Sequence, residues 1–203
     1  AAAIMRALKQ HELLTILSGS VDKLILANAR AKGVQMADGT CLHAGAIVLA
    51  TGTFLNASLH RGEDSVAGGR IGEANAAPLG EQLRALDLPI GRLKTGTPPR
   101  LDGRTIDWSR LTLQPSDRDA WTMSSLGQRV LPQLFCAETR TNLATHDVIR
   151  AAMDRSPLLS GAITGEGPRY CPSVEDKVRR FGDRDGHQIF LEPEGLDTCF
   201  IYP

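Results

Sequence analysis

At 203 residues, with 42% hydrophobic and 23% charged side chains, the chain has room for one large domain or two small ones around a genuine core. Its 23 Lys and Arg balance its 23 Asp and Glu, which excludes a globally basic nucleic-acid binder and leaves only a local patch for such contact. Four separated cysteines without a Cys-x-x-Cys pair, and five scattered histidines, argue against a disulfide scaffold or a metal site and fit a reducing cytoplasm.

Residues 2–10 read as the end of a helix, with Ile4, Met5 and Leu8 on one side. Short apolar runs follow at 13–17, 21–26, 33–36 and 46–50, with Asp38-Gly39 as a hairpin turn. Residues 45–53 are an unbroken apolar run into a Gly turn, a pattern that implies burial on both faces, as in a central parallel strand. The longest apolar stretch, 44–50, is far too short to cross a membrane, and nothing reads as a signal peptide.

Residues 52–77, rich in Gly and polar side chains, are expected to be loop. Within them Gly68-Gly69-Arg70-Ile71-Gly72 is not a Gly-x-Gly-x-x-Gly fingerprint and opens no helix, so it is a poor phosphate cradle. Residues 78–86 form an amphipathic helix through Leu79, Leu83 and Leu86. The next run, Gly91-Arg92-Leu93-Lys94-Thr95-Gly96-Thr97-Pro98-Pro99-Arg100, is basic, turn-rich and stiffened by proline. From Arg92 to Arg110, five basic residues (Arg92, Lys94, Arg100, Arg104, Arg110) stand against two acids (Asp102, Asp107). A solvated loop is the default; the alternative is an anion site for phosphate or carboxylate.

Residues 116–125 are polar and irregular, a candidate mobile segment, and 131–136 read as a strand. Residues 145–154 form a helix with Thr145 as N-cap and Asp147 in its first turn. A further helix spans 173–181, and a strand at 188–192 is closed by Pro193-Glu194-Gly195. The chain opens inside a helix without an initiator methionine and stops just after a strand-like segment, so both ends read as cut from something longer.

The chemistry concentrates before the 173–181 helix, where Pro172 restricts Cys171 to an extended conformation. Ser173, with Asp176 three residues on, has the form of an N-cap. A helix beginning there aims its positive end at the thiol, and with Arg169 it favours the thiolate, the form suited to a nucleophile. The alternative is a buried, inert cysteine beside a well-capped helix.

Several runs together resemble one family. They are Ala50-Thr51-Gly52-Thr53-Phe54, Ala67-Gly68-Gly69-Arg70, the 91–100 run, Thr145-His146-Asp147-Val148-Ile149-Arg150, Gly167-Pro168-Arg169-Tyr170-Cys171-Pro172-Ser173-Val174-Glu175-Asp176-Lys177, and His187-Gln188-Ile189-Phe190-Leu191-Glu192-Pro193-Glu194-Gly195. Their order and spacing identify the chain as resembling the MnmG/GidA family, flavin-dependent enzymes that modify the wobble uridine of tRNA. The resemblance implies an α/β fold that is part of a two-dinucleotide-binding-domain, glutathione-reductase-like FAD architecture. In it, residues 1–90 are the end of the FAD-binding domain and 91–203 an inserted α/β nicotinamide and substrate domain. It also implies FAD, NADH or NADPH, and methylene-tetrahydrofolate as carbon donor. The expected partners are tRNA, an MnmE-type GTPase and a second copy of the full-length protein, in the cytoplasm. The family's opening Gly-x-Gly-x-x-Gly unit and closing helical domain are not in this sequence.

Carried over by position, Val21 and Ala76 would touch FAD, although the family often has serine at the position of Ala76. Gly167, Pro168, Arg169, Tyr170, Cys171, Pro172, Ser173, Val174, Glu175, Asp176, Lys177, Val178, Arg179, Arg180 and Phe181 correspond to the nicotinamide-binding stretch. Cys171 matches a catalytic cysteine, the thiol that adds to carbon six of the uracil or handles a proton beside it. The family's other important cysteine lies upstream of this sequence, and Cys41, Cys136 and Cys199 read as structural or incidental. Arg92, Lys94 and Arg100 are candidates for holding phosphate or folate carboxylate, an assignment the resemblance does not supply. Two other readings stand beside this one. One is a folded binding module without activity, since the main FAD anchor is missing; the other is part of a folate-dependent tRNA uridine methyltransferase.

Overall fold

The computed structural model describes residues 2–125, 127–167 and 171–203, which fall into two units, Ala1–Ile90 and Gly91–Pro203. In the first unit, α1 (Ala2–Lys9) is exposed along its length. An antiparallel meander follows, of β1 (Val21–Ala27), β2 (Arg30–Met36) and β3 (Cys41–His43). The β2–β3 turn is the expected one: Gly39 has φ 88°, Met36 N–H donates to the Thr40 carbonyl, and the Asp38 carboxylate accepts from Thr40 N–H. That bond holds the Asp38 carboxyl below its usual range.

Helix α2 (Ala77–Ala85) starts with Pro78 in its first turn, where a missing N–H costs nothing. It buries Leu79 and Leu83 and packs on β1. The Gln82 side chain completes the contact as a surrogate strand. Its Oε1 accepts from Leu24 N–H at 2.7 Å and its Nε2 donates to the Leu24 carbonyl at 2.9 Å.

Two expectations for this unit fail. Residues 46–50 form no strand, and Val48 is 88% exposed. A continuous apolar run is buried on both faces only when strands flank it, and among the described residues none pairs with this one. The region expected to be loop holds a hairpin of β4 (Ser58–Arg61) and β5 (Asp64–Ala67). Its two-residue turn, Gly62-Glu63, has φ 58° at the glycine, a recognised hairpin signal.

The second unit is built on a five-stranded antiparallel sheet. The strands are β6 (Leu101–Asp102), β7 (Thr112–Gln114), β8 (Cys136–Arg140), β9 (Gln188–Pro193) and β10 (Phe200–Tyr202), in the order β6-β10-β9-β8-β7. Ala137, Leu191 and Ile201 form its core, with Leu101, Ile106, Trp108, Leu111 and Ile189 packed against them. Trp108 enters that layer because its Nε1–H finds the Gly103 carbonyl at 2.8 Å. Residues 131–135 lie outside the ladder, where a strand was expected. Registry with β7 and β9 restricts pairing to residues 136–140, and Leu131 and Phe135 are exposed.

Helices α3 (Leu143–Arg150) and α4 (Val174–Arg180) pack on each other. The N-cap of α3 is Asn142 rather than Thr145. Asn142 Oδ1 accepts from Thr145 N–H at 3.0 Å, and Thr145 Oγ1 reaches back to Asn142 N–H in a capping box. Segment 116–125 is irregular but tied down: Trp121 Nε1–H donates to Asp117, and Arg129 donates to the carbonyls of Asp117 and Asp119. Among the described residues no helix is long and apolar enough to cross a membrane.

Candidate functional site

Ser173 caps α4 as the sequence implies, its Oγ accepting from Asp176 N–H at 3.4 Å. The Asp176 side chain, however, does not return to Ser173. Buried at the helix start, its carboxylate receives Arg179 at 2.7 Å and Arg180 at 2.8 Å. This intrahelical fork fixes the first turn of α4 and partly neutralises two of its three basic residues. Ser156 Oγ adds a tether to Glu175 at 3.4 Å, and Val178 is buried beneath the helix.

Cys171 is exposed, which removes the reading of a buried, inert thiol. Cys136 is the contrasting case: burial, and then Glu192, pushes its thiol upward, away from the reactive form. Pro168, Arg169 and Tyr170, three of the residues expected at the nicotinamide site, lie outside the described residues, and so does the contribution expected of Arg169.

The basic run and the Cys171 segment come together. Lys94 N–H donates to the Glu166 carbonyl at 3.0 Å, and Leu93 and Glu166 form a parallel bridge. Gly165, at φ 119°, lies so close to the Arg92 carbonyl that an added Cβ would stand 2.3 Å from its oxygen, so no side chain fits there. The Lys94 ammonium turns inward and donates to the carbonyls of Leu158 at 2.9 Å and Ile163 at 3.4 Å. It thus closes the 156–166 loop that leads to Gly167.

Arg100 stands elsewhere. It pairs with Glu194, donates to Thr97 Oγ1 and the Pro98 carbonyl, and stacks 4.3 Å over the Tyr202 ring. It therefore bolts the Pro98-Pro99 corner to the β9–β10 hairpin. Val21 and Ala76 belong to the other unit, half-buried at the start of β1 and at the N-cap of α2. The neighbouring glycines are used for packing: a Cβ on Gly69 would meet the Phe54 ring at 2.3 Å, and one on Gly68 the Glu73 carbonyl at 2.8 Å. An open cavity of about 280 Å³ beside Trp121 and Arg129 is lined by none of the candidate catalytic, cofactor or anion-binding residues. Among the described residues no three His, Cys, Asp or Glu side chains converge as a metal site. The Asp176 fork and the inward Lys94 ammonium are the parts sequence reasoning missed; the i, i+3 and i, i+4 spacing of Asp176 to Arg179 and Arg180 was the available signal for the first.

Residues 1–203 match the family described as Glucose inhibited division protein A. The chain belongs to that family. It is 62% identical over 202 residues to the tRNA uridine 5-carboxymethylaminomethyl modification enzyme MnmG of Zymomonas mobilis subsp. mobilis, covering 99% of this chain and 32% of that protein. Two structures of Aquifex aeolicus GidA superimpose along the whole chain. The form I crystal gives a TM-score of 0.86 at 41% identity and the form II crystal 0.84 at 39%, over 35% and 33% of those chains. The chain thus spans about a third of the length of the relatives it matches. Its α/β elements are part of the two-dinucleotide-binding-domain fold of GidA.

Proposed function

We propose that the chain is the central part of a flavin- and folate-dependent enzyme that adds an aminomethyl or carboxymethylaminomethyl group to carbon five of the tRNA wobble uridine. The likeness to an enzyme named for that modification, across 99% of this chain, supports the reading. The observation that carries it to particular atoms is the exposed Cys171 three residues ahead of the capped helix α4. In this reading residues 1–90 close the FAD-binding domain and 91–203 form the inserted nicotinamide and substrate domain. The partners are tRNA, an MnmE-type GTPase and a second copy of the longer protein, in the cytoplasm.

The residues present fit only part of a bound FAD. Val21 and Ala76 sit on β1 and α2, which pack together, and both keep some accessible surface for a cofactor edge. At Gly68 and Gly69 the space a Cβ would take is filled by Glu73 and Phe54 of the chain itself, so these glycines are explained by packing and not by a diphosphate. FAD, when bound, supplies the redox chemistry, with NADH or NADPH as reductant held along residues 167–181 and methylene-tetrahydrofolate as the one-carbon source.

The Cys171 thiolate adds to carbon six of the uracil: a sulfur–carbon bond forms, and the carbon five–carbon six double bond moves its electrons toward carbon five and the carbon four oxygen. That addition makes carbon five nucleophilic, ready to take the one-carbon unit. Loss of its proton and expulsion of the thiolate restore the ring. Arg92, Lys94 and Arg100 were candidates for anion binding; the internal contacts above support a scaffold role for Lys94 on the loop that leads to Cys171 and for Arg100 at the Pro98-Pro99 corner. Nucleoside analysis of tRNA modified by the complete protein tests the reading. A carboxymethylaminomethyl or aminomethyl uridine is the expected product, and a plain 5-methyluridine contradicts it in favour of the methyltransferase alternative.

A further inference from the structure

The C-terminal unit buries two imidazoles side by side. His146, in α3, is fully shielded, and His187, one residue before β9, is 6% exposed; their ring centroids are 5.1 Å apart. One threonine ties them together. Thr141 Oγ1 lies 2.8 Å from His146 Nε2 and accepts from His187 N–H at 2.7 Å, while Thr141 N–H donates to the His187 carbonyl at 2.9 Å. All contacts are satisfied when His146 Nε2–H donates to Thr141, whose own hydroxyl hydrogen points to the His187 carbonyl at 3.5 Å. Two further ring nitrogens, His146 Nδ1 and His187 Nε2, are buried without a protein partner.

The side chains that act on His187 are His146 from α3, Lys177 from α4, Arg184 from the turn after α4 and Arg140 from β8. No carboxylate is among them: Asp176 is engaged by Arg179 and Arg180, and the exposed Asp147 by Arg150. A cationic His187 therefore carries a buried Nε2–H with no protein acceptor, beside basic groups.

We propose that the His146–His187 pair is a proton-sensitive latch. With His187 neutral it fastens α3 to the end of the β8–β9 ladder and, through α3, holds α4; a proton on His187 opens it. Burial first, and then the surrounding cations, keeps His187 below the ordinary histidine range. An unfolded histidine binds its proton near pH 6.5 or about that value, so below it the unfolded state holds the extra proton and the folded state loses stability as pH falls. Because α4 begins three residues after Cys171, opening the latch loosens the support of that thiol. The inference stands independently of the chemistry proposed for Cys171.

The test is hydrogen exchange on the 203-residue chain between pH 7.5 and 5.5, corrected for intrinsic exchange, with thermal unfolding alongside. The expected result is a tenfold or greater loss of protection in α3 and α4 while β1 and β2 keep theirs, with a fall in Tm of about 5 °C. His187→Gln should abolish the pH dependence. Should that variant not fold, exchange and the imidazole NMR titration of the unaltered chain decide alone. Protection in α3 and α4 that stays flat with pH, or a His187 ring that titrates in the ordinary histidine range, overturns the proposal.

Discussion

The backbone N–H of Lys94 donates to the carbonyl of Glu166, laying the basic run 91–100 beside the segment that enters Cys171. Two stretches 72 positions apart in sequence (166 minus 94) thereby become one structural element. The Lys94 ammonium, half-buried, serves that element from within through the Leu158 and Ile163 carbonyls.

Lys94→Met should therefore cost about 1–3 kcal/mol of stability, because it removes a charged donor from two carbonyls. Chemical denaturation gives the magnitude, and limited proteolysis should show cleavage moving to residues 156–166. Unchanged stability with a loss of anion binding alone would instead assign Lys94 to a ligand.

Asn142→Ala should lower stability by about 1 kcal/mol by removing the side chain that caps α3. Thr145→Ala should cost less, since its link to Asn142 N–H is the longer one at 3.5 Å. Equal midpoints for Asn142→Ala and the parent chain in urea would contradict the cap assignment.

The β1–β2 turn offers a gain. Ala29 has φ 57° and Asn28 φ 50°, a left-handed pair in which only asparagine is well suited. Ala29→Gly should stabilise the chain by roughly 0.5–1 kcal/mol, the relief of the Cβ clash exceeding the entropy glycine adds to the unfolded state. A lowered Tm would show that the turn is not strained.

Features written in a few adjacent residues were legible. Asp38-Gly39 makes its hairpin turn, Ser173 caps α4, and the 188–192 run is a strand because local chemistry decides each. Features that depend on distant partners were not. Cys136-Ala137-Glu138-Thr139-Arg140 looks too polar for a central strand, yet Ala137 is fully buried because β7 and β9 flank it. Residues 46–50 look like a central strand and are not paired, since neighbours rather than apolarity make one. Asn142 and Thr145 are both capable caps; only their spacing of three decides that one caps and the other answers it. At the site, the exposure of Cys171 and the inward turn of Lys94 needed coordinates, because both depend on a loop closed across the unit.

The central claim is that Cys171 reacts with the uracil. The direct measurement replaces the matching third of the Zymomonas mobilis enzyme with this chain and quantifies the modified wobble nucleoside in cells lacking their own enzyme. The account predicts that the chimera restores the carboxymethylaminomethyl or aminomethyl uridine and that Cys171→Ser abolishes it. Cys199→Ser, at an exposed thiol whose backbone carbonyl accepts from Gly103 N–H, should retain it. Full modification by the Cys171→Ser chimera would contradict the account.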